Sequence, residues 1–224
     1  MARVRPAPGG GRVVEVEPER LDRWIGGFAE RNGGIASREL AGDVWTLRGG
    51  DGTVAEVTWL LDPGAPVRWN ADGIAVENFP LAAESELRLP RRYGILVVRK
   101  GAHSVAIVDE RGRVVRSKTD SSYVQGKTKA GGQSQQRFAR RRGEQAKAAQ
   151  KKAVAAVRAV LGAAEFDVLV AGGPAESVLS EAGLASFRPS VHFGDVGEPK
   201  RALALELWER ARSFEILVRG GVQG

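Results

Sequence analysis

The feature that most constrains the fold of this 224-residue chain is a long helical pattern whose two halves differ in character. The pattern predicts a helix from Ser134 to Leu161, with Gly162 placed to end it. Its first half, which includes "RFARRR", is almost entirely polar and charged, so we expect that half to project from the domain. The second half has an apolar face that should pack on the domain. This face comprises Ala146, Ala149, Ala153, Val157 and Val160, with Phe138 a little over two turns before it.

Strand patterns lie on both sides of this helix. Three β segments joined by glycine-containing turns precede it, at 94–99, 104–109 and 113–118. The apolar "FDVLVAGGP" follows as a buried strand, then "AESVLSEAGL" as a short helix, "PSVHFGDVG" as a strand and "EPKRALALELWERAR" as a last helix. This alternation predicts an α/β domain over residues 91–224, with a mixed β-sheet flanked by helices.

The first part of the chain predicts a separate, smaller unit. Residues 1–12 are rich in Pro, Gly and Arg, which predicts a disordered tail. Residues 13–90 predict a small α+β module, with a strand at "RVVEVEP", a helix at "EPERLDRWIGGFAERNGG" and a hairpin at "DVWTLRGGDGTVAEVTWLL". We place the domain boundary near Pro90 and expect the core of the module to contain Trp24, Phe28, Trp45 and Trp59.

The composition excludes several classes of site. The chain has no cysteine, so disulfides, zinc–thiolate sites and thiol nucleophiles are excluded. Its two histidines, His103 and His192, are too few for a histidine-rich metal centre, and each has the setting of an ordinary strand or loop residue. The turn Gly172-Gly173-Pro174 lacks the spacing of a phosphate-binding loop, and no carboxylates have metal-ligand spacing. We expect no metal and no cofactor.

No membrane association is expected from the sequence either. No apolar run approaches the roughly 18 residues that a membrane span needs, and the N-terminus has no apolar segment typical of a signal peptide. We therefore expect a soluble, unexported, cytoplasmic protein, and we expect it to be a monomer.

The charge of the chain is concentrated in one segment. Between Arg111 and Arg158 there are fourteen Lys and Arg residues and only two acids, Asp120 and Glu144. This segment carries +12, so the rest of the chain carries −5 within a net charge of +7. A solvated helix face would have interspersed acids for i,i+4 pairing, and they are missing here. The asymmetry indicates a polyanionic partner, of which nucleic acid is the usual one.

The tripeptide Gly131-Gly132-Gln133 lies at the head of the basic helix. Two adjacent glycines allow a loop to bring its backbone close to another molecule. Glutamine does not exchange protons at neutral pH, but its amide can hold a water, and its backbone N–H can face a developing negative charge. Taken alone, the tripeptide is equally compatible with a simple cap of the helix.

The wider segment "GGQSQQRFARRR", between "YGILVV" and "FDVLVAGGP", resembles the central, peptidyl-hydrolysing domain of eukaryotic and archaeal class-1 release factors. That domain carries Gly-Gly-Gln-Ser followed by Arg-Phe-Ala-Arg, as 131–134 and 137–140 do here. The resemblance runs from about Tyr93 to the C-terminus and implies the fold of that domain, with its RNase H-like motif. The codon-reading and partner-binding domains have no counterpart. The chain is therefore most similar to the Vms-like, actinobacterial-type peptidyl-tRNA hydrolases of ribosome quality control.

The resemblance implies a role for each residue that matches the motif. Gln133 would place a water at the ester of peptidyl-tRNA in the peptidyl-transferase centre, while Gly131 and Gly132 would let the loop pass between RNA walls. The partners would be the large ribosomal subunit, through its rRNA, and peptidyl-tRNA. Six basic residues would contact RNA phosphates, namely Arg137, Arg140, Arg141, Arg142, Lys127 and Lys129.

Three alternatives stay open at the level of the sequence. The chain could be a non-catalytic RNA-binding module for ribosome rescue, although such proteins lack the Gly-Gly-Gln. It could be a nuclease that cuts the tRNA 3′ end instead of the ester. A general basic RNA chaperone is the third alternative, but it would not require glycines at this point.

Overall fold

The computed structural model describes residues 3–41, 44–61, 91–121, 133–194 and 196–220. The chain forms two compact units. The first contains residues 1–89 together with 209–224, and the second contains residues 90–208.

The first unit is built on a six-stranded antiparallel sheet. Its strands are β1 (Arg3–Pro6), β2 (Arg12–Val16), β3 (Ile35–Ala41), β4 (Val44–Gly49), β5 (Val54–Trp59) and β11 (Phe214–Arg219). They lie in the order β1-β2-β11-β5-β4-β3. A single 3₁₀ turn, Pro18–Arg20, leads into the helix α1, Leu21–Arg31.

Side chains that alternate along the strands make the core of this unit. Trp45 and Trp59 are buried, as is Phe28 on α1, which confirms three of the four aromatic core residues expected from the sequence. Trp24 is only half-buried and stacks on Phe28. The central strand β11 adds the buried side chain of Phe214, whose ring lies 6.3 Å from that of Trp59.

Two expectations about the ends of the chain were wrong. The predicted disordered tail, residues 1–12, contains β1, which pairs with β2 in a register that joins Arg3 to Glu15 and Pro6 to Arg12. The predicted domain 91–224 extends too far, because its last residues form β11, which lies between β2 and β5 in the sheet of the first unit. In the first case a local hairpin orders a segment whose composition is typical of disorder. In the second case backbone hydrogen bonds to strands distant in sequence decide the structure.

The second unit has a five-stranded sheet. Its elements are β6 (Tyr93–Arg99), β7 (Ala102–Val108), β8 (Val114–Ser121), α2 (Gln133–Val160), β9 (Val168–Gly172), α3 (Ala175–Glu181), β10 (Val191–Phe193) and α4 (Arg201–Arg212). The boundary between the units falls within α4. The strands lie in the order β10-β9-β6-β7-β8. The pairs of β10 with β9 and of β9 with β6 are parallel, whereas β7 and β8 continue the sheet antiparallel, so the predicted mixed sheet with flanking helices is confirmed.

One face of this sheet carries α2 and α3. Side chains from β6 and β7 on this face, such as Leu96 and Val105, are fully buried against the Ala- and Val-rich half of α2. The same cluster includes Val178 and Leu179 of α3. The apolar second half of the long helix is therefore fixed to the domain by hydrophobic packing, at about 25 cal/mol for each Å² of apolar surface removed from water.

Candidate functional site

The long helix α2 begins at Gln133, the last residue of the Gly-Gly-Gln tripeptide. Gly131 and Gly132 lie outside the described residues, as do Lys127, Lys129 and the side chain of Gln133. The structure thus places the backbone of Gln133 at the N-terminus of a 28-residue helix. Backbone N–H groups in the first turn of a helix have no partner within the helix, so they are available to an acceptor.

The first half of α2 presents basic side chains to solvent. Arg137, Arg140 and Arg141 are exposed, and Arg142 is half-buried. Arg140 forms an i,i+4 ion pair with Glu144 at 3.3 Å, in which its side chain is still 84% exposed. An exposed pair of this kind is worth only about 0.3–0.5 kcal/mol, so Arg140 can exchange this partner for a phosphate at little cost.

Burial along α2 starts more than four turns from its N-terminus. Among the α2 side chains that the structure describes, Ala149 is the first that is buried, and Ala153, Val157 and Val160 follow on the same face. These positions confirm the packed half expected from the sequence. Ala146 was expected on this face but is exposed, and the side chain of Phe138 lies outside the description. The exposed half is thus one turn longer than predicted.

Polar contacts to α3 hold the packed half of α2 in place. The side-chain amide of Gln150 donates to the carboxylate of Glu181 at 3.1 Å. The guanidinium of Arg158 donates to the backbone carbonyls of Glu181 and Ala182, at 2.6 and 3.3 Å. These carbonyls lie at the C-terminal end of α3 and lack helical partners, so Arg158 supplies a cap that the sequence of α3 does not.

A second set of contacts ties α2 to the edge strand β8. The ammonium of Lys152 lies 3.0 Å from the carboxylate of Asp120, and Arg116 donates to the carbonyl of Ala159 at 3.2 Å. Lys152 is 19 residues from Gln133, which corresponds to about 28 Å along the helix axis. The head of the helix therefore lies far from the point where α2 is attached to the sheet.

The buried histidine His103 lies beside this attachment point. It is opposite Asp120 in the β7–β8 register and only 3% exposed, and its Nε2 has no hydrogen-bond partner among the described residues. Burial lowers the pKa of His103, and the nearby ammonium groups of Lys118 and Lys152 lower it further, against the opposing effect of Asp120. A hydrogen bond from Lys152 lowers the pKa of Asp120. The imidazole of His103 is thus uncharged at neutral pH, beside the ion pair of Asp120 with Lys152.

No group of His, Asp and Glu side chains that could hold a metal ion occurs in the part of the chain that the structure describes. Within the same residues, no helix is long and apolar enough to cross a membrane.

The sequence model of a protein family described as "Actinobacteria/chloroflexi VLRF1 release factor" matches residues 91–217, more than half of the chain. The chain belongs to this family. The match covers the whole second unit apart from its first residue, including α2 and the Gly-Gly-Gln at its head. The resemblance to Vms-like release factors, drawn from the residues around Gln133, is thereby confirmed for this VLRF1 family member.

Two solved structures show a weaker similarity. One is described as the Vms1 mitochondrial localization core; it shares 10% identity, with 90% of this chain and 81% of that chain covered, at a TM-score of 0.38. The other is Pelota from Archaeoglobus fulgidus, with 13% identity, coverage of 94% and 64%, and a TM-score of 0.32. No curated protein matches the VLRF1 family member significantly.

Sequence reasoning missed the residues that anchor α2. Lys152 and Arg158 were counted only as part of the basic segment, yet each has an acceptor in the fold. Their positions on the apolar half of the helix were the signal in the sequence that could have indicated contacts with the fold. Basic residues there lie close to the sheet and to α3, whereas Arg137, Arg140 and Arg141 of the "RFARRR" segment are exposed.

Proposed function

We propose that this VLRF1 family member is a peptidyl-tRNA hydrolase that releases nascent chains from tRNA on stalled ribosomes or large ribosomal subunits. The observation that supports it most is the position of Gln133, at the head of a helix whose first half is exposed and basic. Family membership adds that the matched relatives are described as release factors. The protein would act in the cytoplasm, without a cofactor.

The proposed chemistry is addition of water to the ester carbonyl that joins the peptide to the tRNA 3′ end. The side-chain amide of Gln133 positions the attacking water, and its backbone N–H donates to the oxygen on which negative charge develops. One such donor contributes about 3–4 kcal/mol to transition-state stability in other hydrolases. The bond between the carbonyl carbon and the tRNA oxygen breaks, so the peptide leaves as a carboxylic acid and the tRNA regains its 3′ hydroxyl. Water is the only co-reactant.

The way in which α2 is attached to the second unit also supports this proposal. The packed half of the helix is fixed by the hydrophobic cluster and by the contacts of Gln150, Lys152 and Arg158. The exposed half, from Gln133 to Ala149, the first buried residue described in α2, is about 24 Å long, and we expect it to enter a cleft in the ribosome. Gly131 and Gly132 would keep the tip narrow, and Arg137, Arg140, Arg141, Arg142, Lys127 and Lys129 would contact RNA phosphates along the way.

A peptide-release assay tests the proposal. Large subunits that carry peptidyl-tRNA are incubated with wild type or with Gln133→Ala, and both the released peptide and the tRNA 3′ end are analysed. Wild type should release peptide and leave the tRNA intact. Gln133→Ala should release it more slowly, on the order of 100-fold, because the water is no longer held in line with the carbonyl.

Gln136→Ala is the matched control, because it makes the same substitution one turn further along α2. It should release peptide at the rate of wild type. Equal release by Gln133→Ala would contradict the role of that residue. A shortened tRNA would favour the nuclease alternative, and ribosome binding without any cleavage would favour a non-catalytic rescue module.

A further inference from the structure

A second candidate binding site lies in the first unit, on α1. A pocket of about 330 Å³ is lined by one face of this helix together with the end of β2 and the residues that follow it. Its volume is within the range of about 300–1,000 Å³ that is typical of small-ligand sites. The residues from α1 and the preceding turn recur at helical spacing and comprise Arg20, Arg23, Trp24, Gly27 and Arg31.

The pocket carries an excess of positive charge that the described part of the protein does not neutralise. Its acid Glu15 is already paired with Arg210, through two hydrogen bonds of 3.0 and 2.8 Å. Its other acid, Glu17, lies 3.5 Å from Arg20. Arg23 and Arg31 are exposed and form no ion pair with any described residue. Two guanidinium groups are thus available to an anionic ligand.

An aromatic wall accompanies these two cations. Trp24 is half-buried and stacks on the buried ring of Phe28, with 5.6 Å between ring centroids and 17° between ring planes. The stack fixes the indole in one orientation, so Trp24 can act as a rigid platform. Aromatic platforms beside arginine are typical of proteins that bind single-stranded nucleic acid, because every base has a face that can stack.

Gly27 shapes the pocket between Trp24 and Arg31. A Cβ added to Gly27 would lie 3.0 Å from Nη1 of Arg31, so the guanidinium would have to move by a few tenths of an ångström. The neighbouring Gly26 faces open space, with nothing within 4 Å of an added Cβ. A glycine inside a helix costs about 1 kcal/mol relative to alanine, and only at position 27 would the alanine press on a side chain that lines the pocket.

We propose that this pocket binds one nucleotide of a single-stranded RNA, with the base stacked on Trp24 and its phosphate held by Arg23 and Arg31. The first unit would thus be a second RNA-binding unit, separate from the basic face of α2. The choice of RNA over a free nucleotide rests on the proposed function, in which the partner of the protein is ribosomal RNA and tRNA.

The test uses the full-length chain with Arg140→Glu and Arg141→Glu, so that the α2 surface contributes less to binding. Binding of a fluorescein-labelled single-stranded oligouridine is followed by anisotropy over a series of salt concentrations. Adding Trp24→Ala should lower the affinity by roughly fivefold or more, because one base loses its stacking partner. Adding Arg31→Gln should lower the slope of log K against log salt by about 0.7, the contribution of one phosphate contact on a single strand.

Gly27→Ala and Gly26→Ala form a matched pair in the same background. Both changes favour the helix by a similar amount, but only the first introduces a methyl group against the Arg31 guanidinium. Gly27→Ala should weaken RNA binding without lowering the melting temperature, and Gly26→Ala should bind as the background does. The pair is needed because Trp24→Ala also removes the ring that stacks on Phe28 and could weaken the fold. The glycine variants distinguish loss of the pocket from loss of the fold.

Unchanged RNA affinity in Arg31→Gln and Gly27→Ala would overturn the inference. The inference would also be overturned if uridine monophosphate bound the pocket with the same affinity as the oligouridine. A third contrary outcome is that the pocket variants lose affinity for an acidic phosphotyrosine peptide but not for RNA. The assay contains no ribosome and no ester. Its result is therefore independent of whether Gln133 releases peptide.

Discussion

At the scale of single residues, His103 shows how burial alters an ordinary side chain. The sequence places it in a strand with nothing to distinguish it from a solvent-facing histidine. In the fold it is buried opposite Asp120, with Lys118 on the same edge strand and Lys152 on α2 adding positive charge nearby. Its protonation would put a third cation beside the contact that attaches α2 to β8.

The stability of the protein should therefore fall as the pH drops below 6.5. The pKa of His103 in the folded state is lower than its ordinary value of 6.5, so the unfolded chain takes up this proton first. The stabilisation is fully present above pH 6.5 and is lost as the pH falls towards the folded-state pKa. Urea unfolding at pH 8 and pH 5 should show a smaller loss for His103→Gln than for wild type.

The control is His192→Gln, which removes the other histidine of the chain and leaves His103 in place. It should keep the pH dependence of wild type. Asp109 and Asp120, whose pKa values are lowered from 3.8 by hydrogen bonds, affect stability only at still lower pH, so they do not interfere. Equal losses in wild type and His103→Gln would show that burial of the imidazole has no energetic consequence.

At the scale of secondary structure, α2 is one continuous helix whose two halves differ in burial and in their contacts. Its second half is anchored by apolar side chains and by contacts to α3 and β8. Its first half has exposed arginines and only one ion pair among the α2 side chains described there, between Arg140 and Glu144. A substitution in the first half should therefore change binding without changing stability.

Reversing two charges on the exposed half tests this division. Arg140→Glu with Arg141→Glu should lower the affinity for the large ribosomal subunit at least about tenfold at low salt, and it should flatten the salt dependence. The free energy of unfolding should change by no more than about 1 kcal/mol, because both side chains are exposed and only the Arg140–Glu144 pair is lost and replaced by a like-charge pair. Sedimentation with large subunits and urea unfolding measure the two effects.

Arg188→Glu with Lys200→Glu is the matched control. It makes the same change in net charge at two exposed positions of the second unit outside α2. This control should bind almost as well as wild type. If both double variants lose the same affinity, binding follows net charge alone, and α2 is not the surface that contacts RNA.

At the scale of the whole molecule, the last strand completes the first sheet. β11 pairs with β2 on one side and with β5 on the other, so strands that are distant in sequence share its backbone hydrogen bonds. Its side chains Phe214, Ile216 and Val218 are buried in the core of the first unit. Burial of three such side chains contributes on the order of 5–9 kcal/mol, which is comparable to the whole stability of a small domain.

Deletion of residues 213–224 should therefore unfold the first unit. Hydrogen exchange measured by mass spectrometry should show loss of protection in β2, β4 and β5, because the strands on both sides of β11 lose their partner. Deletion of residues 221–224 alone leaves every residue of β11 and should preserve the protection. Native protection of β4 and β5 in the longer deletion would mean that the sheet holds without its central strand.

The sequence by itself predicted the main helices and strands of the second unit and its family. The helix predicted from Ser134 to Leu161 is observed from Gln133 to Val160, one residue away at each end, because the apolar period of its second half and the glycine that follows it are local signals. The residues around Gln133 were sufficient to identify the family. Local patterns and motifs are properties of neighbouring residues, so they can be recognised without the fold.

Only the tertiary structure decided which sheet each strand joins and what each charge contacts. The strand β11 lies in the predicted domain 91–224 by sequence but pairs with β2 and β5, which are about 155–200 residues away. The same holds for Arg158, which caps α3 from another helix. A contact between distant residues depends on the path of the whole chain, and no pattern within a window of the sequence contains it.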